Sequence, residues 1–313
     1  MSTETPHLKM DGPVMGTRWN VELDIPAKTD IAALRSAITA AVTRVDVQMS
    51  TWNSQSNLMR FNAAPVDCWV EIPRELMQVL DRGLQIGRIS DGAFDIGLGD
   101  LVRAWGFIDT APDTDEIRRQ LGERLRATHE ILDLDEKNSL VRKRAPVSLD
   151  LSGIAKGFAV DQMMQVCDQF SIQGALVALD GELRAKGCQK NGKPWVIVVE
   201  SPDYEGRSPL SILELEDAAV ATSGDYRHWV KVGQSRLSHN MDLKKGGPVQ
   251  PGIASVTVVA GDCITADAMA TAVLVLGLDQ GIEFAKKHHL DCLIIERKSQ
   301  GFKQHGVGAI FAV

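Results

Sequence analysis

Asp150-Leu151-Ser152-Gly153-Ile154-Ala155-Lys156-Gly157 gathers a carboxylate, a hydroxyl, two glycines and a lysine into eight residues. The run before it, Ala145-Pro146-Val147-Ser148-Leu149, predicts a short buried strand. The run after it, Phe158 to Phe170, places apolar residues at helical spacing. A glycine turn between strand and helix exposes free backbone N–H groups that attract anions, and Lys156 adds a point charge. The corner suits a phosphate, and a nucleotide diphosphate in particular. Its spacing is neither that of a P-loop nor that of a dinucleotide fold. By spacing alone, a glycine-softened turn carrying a solvated lysine stays open beside the phosphate reading.

Upstream of this corner, Thr17–Asp24 alternates like a strand and a long amphipathic helix is expected from about Asp30 to Val47. Pro73 announces a second helix through Ile86, and the charged stretch Thr114–Leu125 predicts a surface helix. Downstream, short strands are expected at Ala175–Leu179, Leu183–Lys186, Trp195–Glu200, Leu210–Leu215, Ala218–Ala221 and Ala254–Val259. Helices follow at Ile264–Leu276 and Gln280–His288, with closing strands at Cys292–Ile295 and Ala309–Val313. There is no internal repeat and no flexible linker, so the pattern describes one α+β unit with two lobes, preceded by a tail over about residues 1–10.

A second chemical corner lies far along the chain. In Ala266-Asp267-Ala268-Met269-Ala270-Thr271 the carboxylate and the hydroxyl are four residues apart and share a helical face. A hard cation such as Mg²⁺ takes oxygens only, and one carboxylate, a hydroxyl and a backbone carbonyl can be completed by water and phosphate. Dipole and back-bonding roles for Asp267 and Thr271 stay open on this pattern. Among the seven histidines, His239 stands in a polar, glycine-bearing loop as a candidate general base, whereas His228 beside Trp229 is expected to pack against a strand.

The bulk composition excludes other classes. With 313 residues, 44% of them hydrophobic, the chain can bury a sizeable core. A net charge of −7 and a pI near 5.5 leave no basic stripe for nucleic acid. Lys286-Lys287-His288-His289, the local exception, is expected as a solvated helix end. Five scattered cysteines without a Cys-x-x-Cys pair fit reduced thiols. No window approaches a membrane span, and the N-terminal residues show neither a signal-length apolar core nor a lipid-acceptor cysteine. The expectation is a cytoplasmic protein, or a periplasmic one if a leader has been removed.

Taken in order along the chain, the motifs add up. They are Met15-Gly16-Thr17, Met49-Ser50-Thr51-Trp52 with Ser56 and Arg60-Phe61-Asn62, and Ser90-Asp91-Gly92-Ala93-Phe94-Asp95 leading to Trp105-Gly106-Phe107. They continue through Asp150–Gly157, Ala221-Thr222-Ser223-Gly224-Asp225-Tyr226-Arg227, Ser238-His239 and Ala266–Thr271. This set resembles the FAD:protein FMN transferases, the ApbE-like flavin transferases, from about Met15 to Val313. The resemblance implies a T-fold-like unit of mixed or antiparallel sheets flanked by helices, with the active site in the cleft between lobes. It implies an enzyme that splits FAD and joins FMN to a threonine hydroxyl of an acceptor flavoprotein, releasing AMP, with Mg²⁺ as metal. By the same resemblance Met15, Trp52, Ala93, Phe94, Asp95, Asp150, Lys156 and Met241 would bind FAD. Gly153 through its carbonyl, Asp267, Ala270 and Thr271 would hold the metal, and His239 would be catalytic.

The chain departs from the family pattern in three places. His239-Asn240-Met241-Asp242-Leu243-Lys244-Lys245-Gly246 stands where His-x-x-Asp-Pro-x-Thr-Gly is usual, so a proline and a threonine are replaced by Leu243 and Lys245. Gly97 and Asp100 replace a threonine and a proline, and Asp180-Gly181 replaces two glycines. The altered loop leaves two other outcomes beside transfer: hydrolysis of FAD by water, or FAD binding without turnover.

Overall fold

The computed structural model describes residues 6–107, 112–122, 125–203, 206, 208–226, 229–232 and 235–311. An eight-stranded sheet forms its centre. Its strands, in spatial order, are His7–Val14, Thr17–Asp24, Gly174–Leu179, Glu182–Lys186, Ala219–Gly224, Ile253–Ala260, Asp291–Arg297 and Phe302–Val307. Spatial order follows chain order and every neighbouring pair is antiparallel. The expected α+β class holds, and this sheet is wholly antiparallel.

Alternation along the strands gives the sheet two apolar faces. Val21, Leu23, Val177, Ala219, Val256, Val258, Cys292 and Ile294 face the larger core. Val220, Leu293 and Ile295 face a second cluster built with the hairpin Trp195–Glu200 and Pro209–Leu215. A register shift between Ile253 and Ser255 places Ala254 in that second cluster while Val256 and Val258 join the first.

Helices Ala155–Gln169 and Cys263–Leu276 cover the first face, and Ile31–Met49 packs on the former. Each has a sequence cause. Asp30 caps Ile31–Met49 by accepting from Ala33 N at 3.0 Å, and Leu34, Ile38, Ala41, Val42 and Val45 form its buried stripe. Cys263–Leu276 is apolar on all sides, as a helix between sheet and other helices must be, and Asp262 accepts from Thr265 N at 3.0 Å. The second lobe consists of helices Asn57–Ala63, Arg74–Ile89, Gly99–Ala104, Thr114–Gly122 and Thr128–Ile131 with the small antiparallel sheet Val70–Glu71, Leu140–Lys143 and Leu132–Asp135. No helix among the described residues is long and apolar enough to cross a membrane.

Three expectations are corrected. The N-terminal tail is shorter than residues 1–10, because His7–Met10 pair with Val21–Asp24 at the edge of the sheet. Ala145–Leu149 is not a strand. Asn62 clamps Leu149 through both its N–H and its carbonyl, at 2.8 and 2.9 Å, so a side-chain amide stands where a neighbouring strand would be. The closing strand is Phe302–Val307, and Ala309–Phe311 forms a turn. Lys303-Gln304-His305 obscures an edge strand that presents polar groups to solvent. Arg227 and His228 lie outside the described residues, as do the last residues of the expected closing strand and two residues of the Thr114–Leu125 segment.

Candidate active site

The two corners read in the sequence meet at one helix–helix contact. Asp267, one turn into Cys263–Leu276, accepts a hydrogen bond from Gly157 N at 3.0 Å. A Cβ on Gly157 would lie 2.4 Å from the Cys263 carbonyl oxygen and 2.9 Å from Asp267 Cβ, so the contact requires glycine. Gly153, in the turn before the helix, makes a looser approach: its Cβ would lie 3.3 Å from Thr271 Oγ1 and 3.4 Å from Phe94 Cε2. Thr271 Oγ1 also exchanges a hydrogen bond with Ser223 Oγ at 2.9 Å. Lys156, Gly153, Asp267, Thr271 and Phe94 thus share one corner, with Ser223 added from the sheet.

A row of ion pairs fixes this corner from below. Glu182, Arg184 and Lys186 alternate on one face of their strand and pair with Lys156 at 2.9 Å, Asp161 at 2.6 Å and Asp168 at 2.5 Å on helix Ala155–Gln169. Asp161 also accepts from Cys263 N and Ile264 N at 3.0 and 2.9 Å. It therefore caps the helix that carries Asp267 from outside that helix. Three alternating charges on a strand have the pattern of a solvent face, which hid Glu182 and, on the facing helix, Asp161 as candidates; Ser223 stood in a quoted motif without an assigned role.

Electrostatics distinguish these groups. Burial pushes Asp267 up to about 6 against the pull of Lys156 and Gly157 N–H, and pushes Glu182 up to about 8 against Lys156. Burial alone would lower Lys156, but Glu182, Asp267 and Asp180 outweigh it and hold the ammonium above the ordinary lysine range. One firmly charged ammonium faces three acidic groups, two of them held back from ionising by burial, and a further cation would favour their charged forms.

Of the other candidate residues, Asp150, the loop of Ala93-Phe94-Asp95 and the His239 loop are tied to the corner by local contacts. Asp150 N–H donates to Ile96 O at 2.8 Å, tying the 150s turn to the Ala93-Phe94-Asp95 loop. Asp150 Oδ1 accepts from Ser152 N and closes its own turn. Ala93 and Phe94 are buried, and Trp52 is 64% exposed, an uncovered indole on the 50s turn. Met15 sits at a hairpin tip where both Met15 (φ 48°) and Gly16 (φ 69°) are left-handed, a type I′ turn in which a non-glycine residue is strained. Met241 is buried and pairs with Pro248. His239 is half-buried, and its neighbour Asn240 donates to Gly224 O at 3.3 Å, placing this loop beside the Ser223 end of the sheet.

The donor set suits a hard cation. Asp267, Thr271 and the Gly153 carbonyl are all oxygens, and no group of three His, Cys, Asp or Glu suited to a metal occurs among the described residues. Ala270 is buried in mid-helix and offers only a main-chain carbonyl, of the kind that the helical ladder uses. A single carboxylate is the coordination expected where phosphate and water complete a Mg²⁺ sphere.

The sequence model of the ApbE family matches residues 15–294. The chain belongs to the ApbE family. It is 35% identical over 308 residues to an FAD:protein FMN transferase of Haemophilus influenzae, covering 96% of this chain and 89% of that one. It is 34% identical over 299 residues to one from Vibrio cholerae, covering 95% and 89%. The solved flavin transferase ApbE from Vibrio cholerae superposes with a TM-score of 0.85 at 31% identity, covering 98% of this chain and 99% of that one. For the apo flavinyl transferase ApbE of Pseudomonas stutzeri the score is 0.86 at 30% identity, covering 98% and 97%.

This ApbE chain accommodates its departures by local packing. Thr128 fills the space left by Gly97, where a Cβ would lie 2.0 Å from Thr128 Oγ1. That hydroxyl bonds Asp95 Oδ1, while Thr128 N and Gly97 N donate to the same carboxylate at 2.8 and 2.7 Å. Asp95 is consequently buried and spent on backbone closure, and burial raises its pKa despite these donors. In the 240s loop Leu243 is buried, with a methyl 3.5 Å from where a Gly92 Cβ would stand. Lys244 reaches Asp91 at 2.5 Å, and Lys245 folds back onto Asp242 at 3.0 Å.

Proposed function

We propose that this chain is an Mg²⁺-dependent FAD:protein FMN transferase that moves FMN from FAD to a threonine hydroxyl of an acceptor flavoprotein and releases AMP. The observation that carries the reading is the union of Lys156, Gly153, Asp267 and Thr271 in one corner, through the glycine contact at Gly157. Lys156 supplies fixed positive charge toward the diphosphate. The exposed Trp52 offers apolar surface for the isoalloxazine, and Phe94 packs beneath the corner against Gly153. Asp267, Thr271 and the Gly153 carbonyl would hold Mg²⁺, which when bound supplies Lewis-acid stabilisation of phosphoryl charge.

In the transfer, the threonine oxygen forms a bond to the FMN phosphorus. The bond from that phosphorus to the bridging oxygen breaks, and AMP departs with the bridging oxygen. His239 takes the threonine proton, a contribution of about 10²–10⁴ in rate for general bases. The anchored positions of Leu243, Lys244 and Lys245 support a working loop and favour transfer over the two alternatives. We place the protein in the cytoplasm, a reading supported by five free thiols, three of them buried. An acceptor domain carrying an Asp-x-x-Ser/Thr-x-Ala-Thr motif, incubated with the protein, FAD and Mg²⁺, should gain in-gel flavin fluorescence that its threonine-to-alanine variant lacks. Equal labelling of that variant would reject threonine as the acceptor.

A further inference from the structure

Lys156 has two close carboxylate partners of opposite character. Glu182 holds the ammonium at 2.9 Å with a side chain only 3% exposed, and it stands in the ion-pair row that binds strand to helix. Asp180 lies at 3.4 Å, is 46% exposed, and occupies the tip of the hairpin that joins Leu179 to Glu182. Its φ of 57° is left-handed, a conformation that favours glycine and that aspartate tolerates. Lys156 is the partner recorded for the Asp180 carboxylate among the described residues.

We propose that Asp180 is an internal competitor for the Lys156 ammonium and sets the affinity of the site for the FAD diphosphate. The inference rests on the reading of Lys156 as a diphosphate contact. A diphosphate brings negative charge to an ammonium that already has three acidic neighbours. Glu182 does not yield, because it is buried in the ion-pair row between strand and helix, where no water can replace the ammonium. Asp180 can yield, because an exposed pair contributes little and water solvates the released carboxylate. Glu182 therefore positions Lys156, while Asp180, the solvent-exposed partner of the ammonium, would oppose an incoming diphosphate by like charge.

The test uses FAD binding by the full chain in Mg²⁺ without acceptor, followed by flavin fluorescence at low and high salt. Asp180→Asn keeps the turn and removes the charge; Asp180→Gly removes the side chain in a conformation where glycine is unstrained. Both should lower Kd by about two- to five-fold at low salt, the range for an exposed ion pair, and converge on the wild-type value at high salt. Lys156→Met should weaken binding at least about tenfold, as for loss of a charge-assisted contact. If Lys156→Met binds FAD as wild type does, the diphosphate assignment of Lys156 fails and the proposal with it. If Lys156→Met weakens binding but the Asp180 variants bind no tighter, the competition alone is overturned. Tightening in Asp180→Gly but not in Asp180→Asn would assign the effect to the turn and overturn it as well.

Discussion

Gly157→Ala sets two effects of opposite sign against each other. Helix propensity alone predicts stabilisation by about 1 kcal/mol, because alanine is the better helix former. Packing predicts the reverse. The new methyl would stand 2.4 Å from the Cys263 carbonyl oxygen and 2.9 Å from Asp267 Cβ, so helices Ala155–Gln169 and Cys263–Leu276 must separate to restore ordinary contact. Overpacking of this kind costs about 1–3 kcal/mol, and stretching the Gly157 N–H bond to the buried Asp267 carboxylate adds about 1.5–3 kcal/mol. The net expectation is a loss of about 1.5–5 kcal/mol, or roughly 2–8 °C in melting temperature for a chain of this size. Thermal unfolding by circular dichroism reads the first quantity, and FAD binding in Mg²⁺ reads the displacement of Asp267 from the corner. A Gly157→Ala protein that melts at or above wild type and binds FAD equally well would refute the close-approach argument.

Further outcomes can be checked in the same way. Thr128→Ala should cost about 1.5–3 kcal/mol, the range for a hydrogen bond to a charged group. Gly97→Ala should be destabilising alone but less so in combination with Thr128→Ala, a coupling that a double-mutant cycle measures. Asp161→Asn should lower stability by about 3 kcal/mol, since it leaves Arg184 and two helix N–H groups without their carboxylate. Burial raises the folded pKa of Asp161 above its unfolded value, so the folded state holds this proton more tightly. Its contribution therefore falls as pH rises from about 4 through the higher folded value, a limb of the urea-midpoint profile that Asp161→Asn should lack. Lys245→Ala should cost about 1–3 kcal/mol, because it takes the ammonium from the buried Asp242 carboxylate and leaves it the backbone N–H groups of residues 244 and 245, whereas Leu243→Ala should cost about 2–4 kcal/mol from the buried loop anchor.

Periodicity made most elements legible. The apolar stripe of Ile31–Met49, the all-round apolar Cys263–Leu276 and the alternating strands of the sheet announce themselves in the sequence. Phe302–Val307 does not, because an edge strand facing water has the composition of a loop. Ala145–Leu149 has the composition of a buried strand, yet a single asparagine supplies its partner. The chemical residues were legible as motifs, but the sequence could not show that Asp150–Gly157 and Ala266–Thr271 meet at Gly157. Glu182 and Asp161 were hidden for a related reason: a charge buried by its partner cannot be told from a solvated one until the partner's place is known. Thr128 lies outside every motif, and the glycine whose space it fills is visible only in three dimensions.

The most direct test of FMN transfer is the ratio of AMP released to flavin covalently bound, measured in one reaction with FAD, Mg²⁺ and an acceptor domain. Transfer predicts one AMP for each FMN fixed on the acceptor threonine, little AMP without acceptor, and neither product with Asp267→Ala. AMP and free FMN released at the same rate with or without acceptor, and no flavin on the protein, would contradict the account.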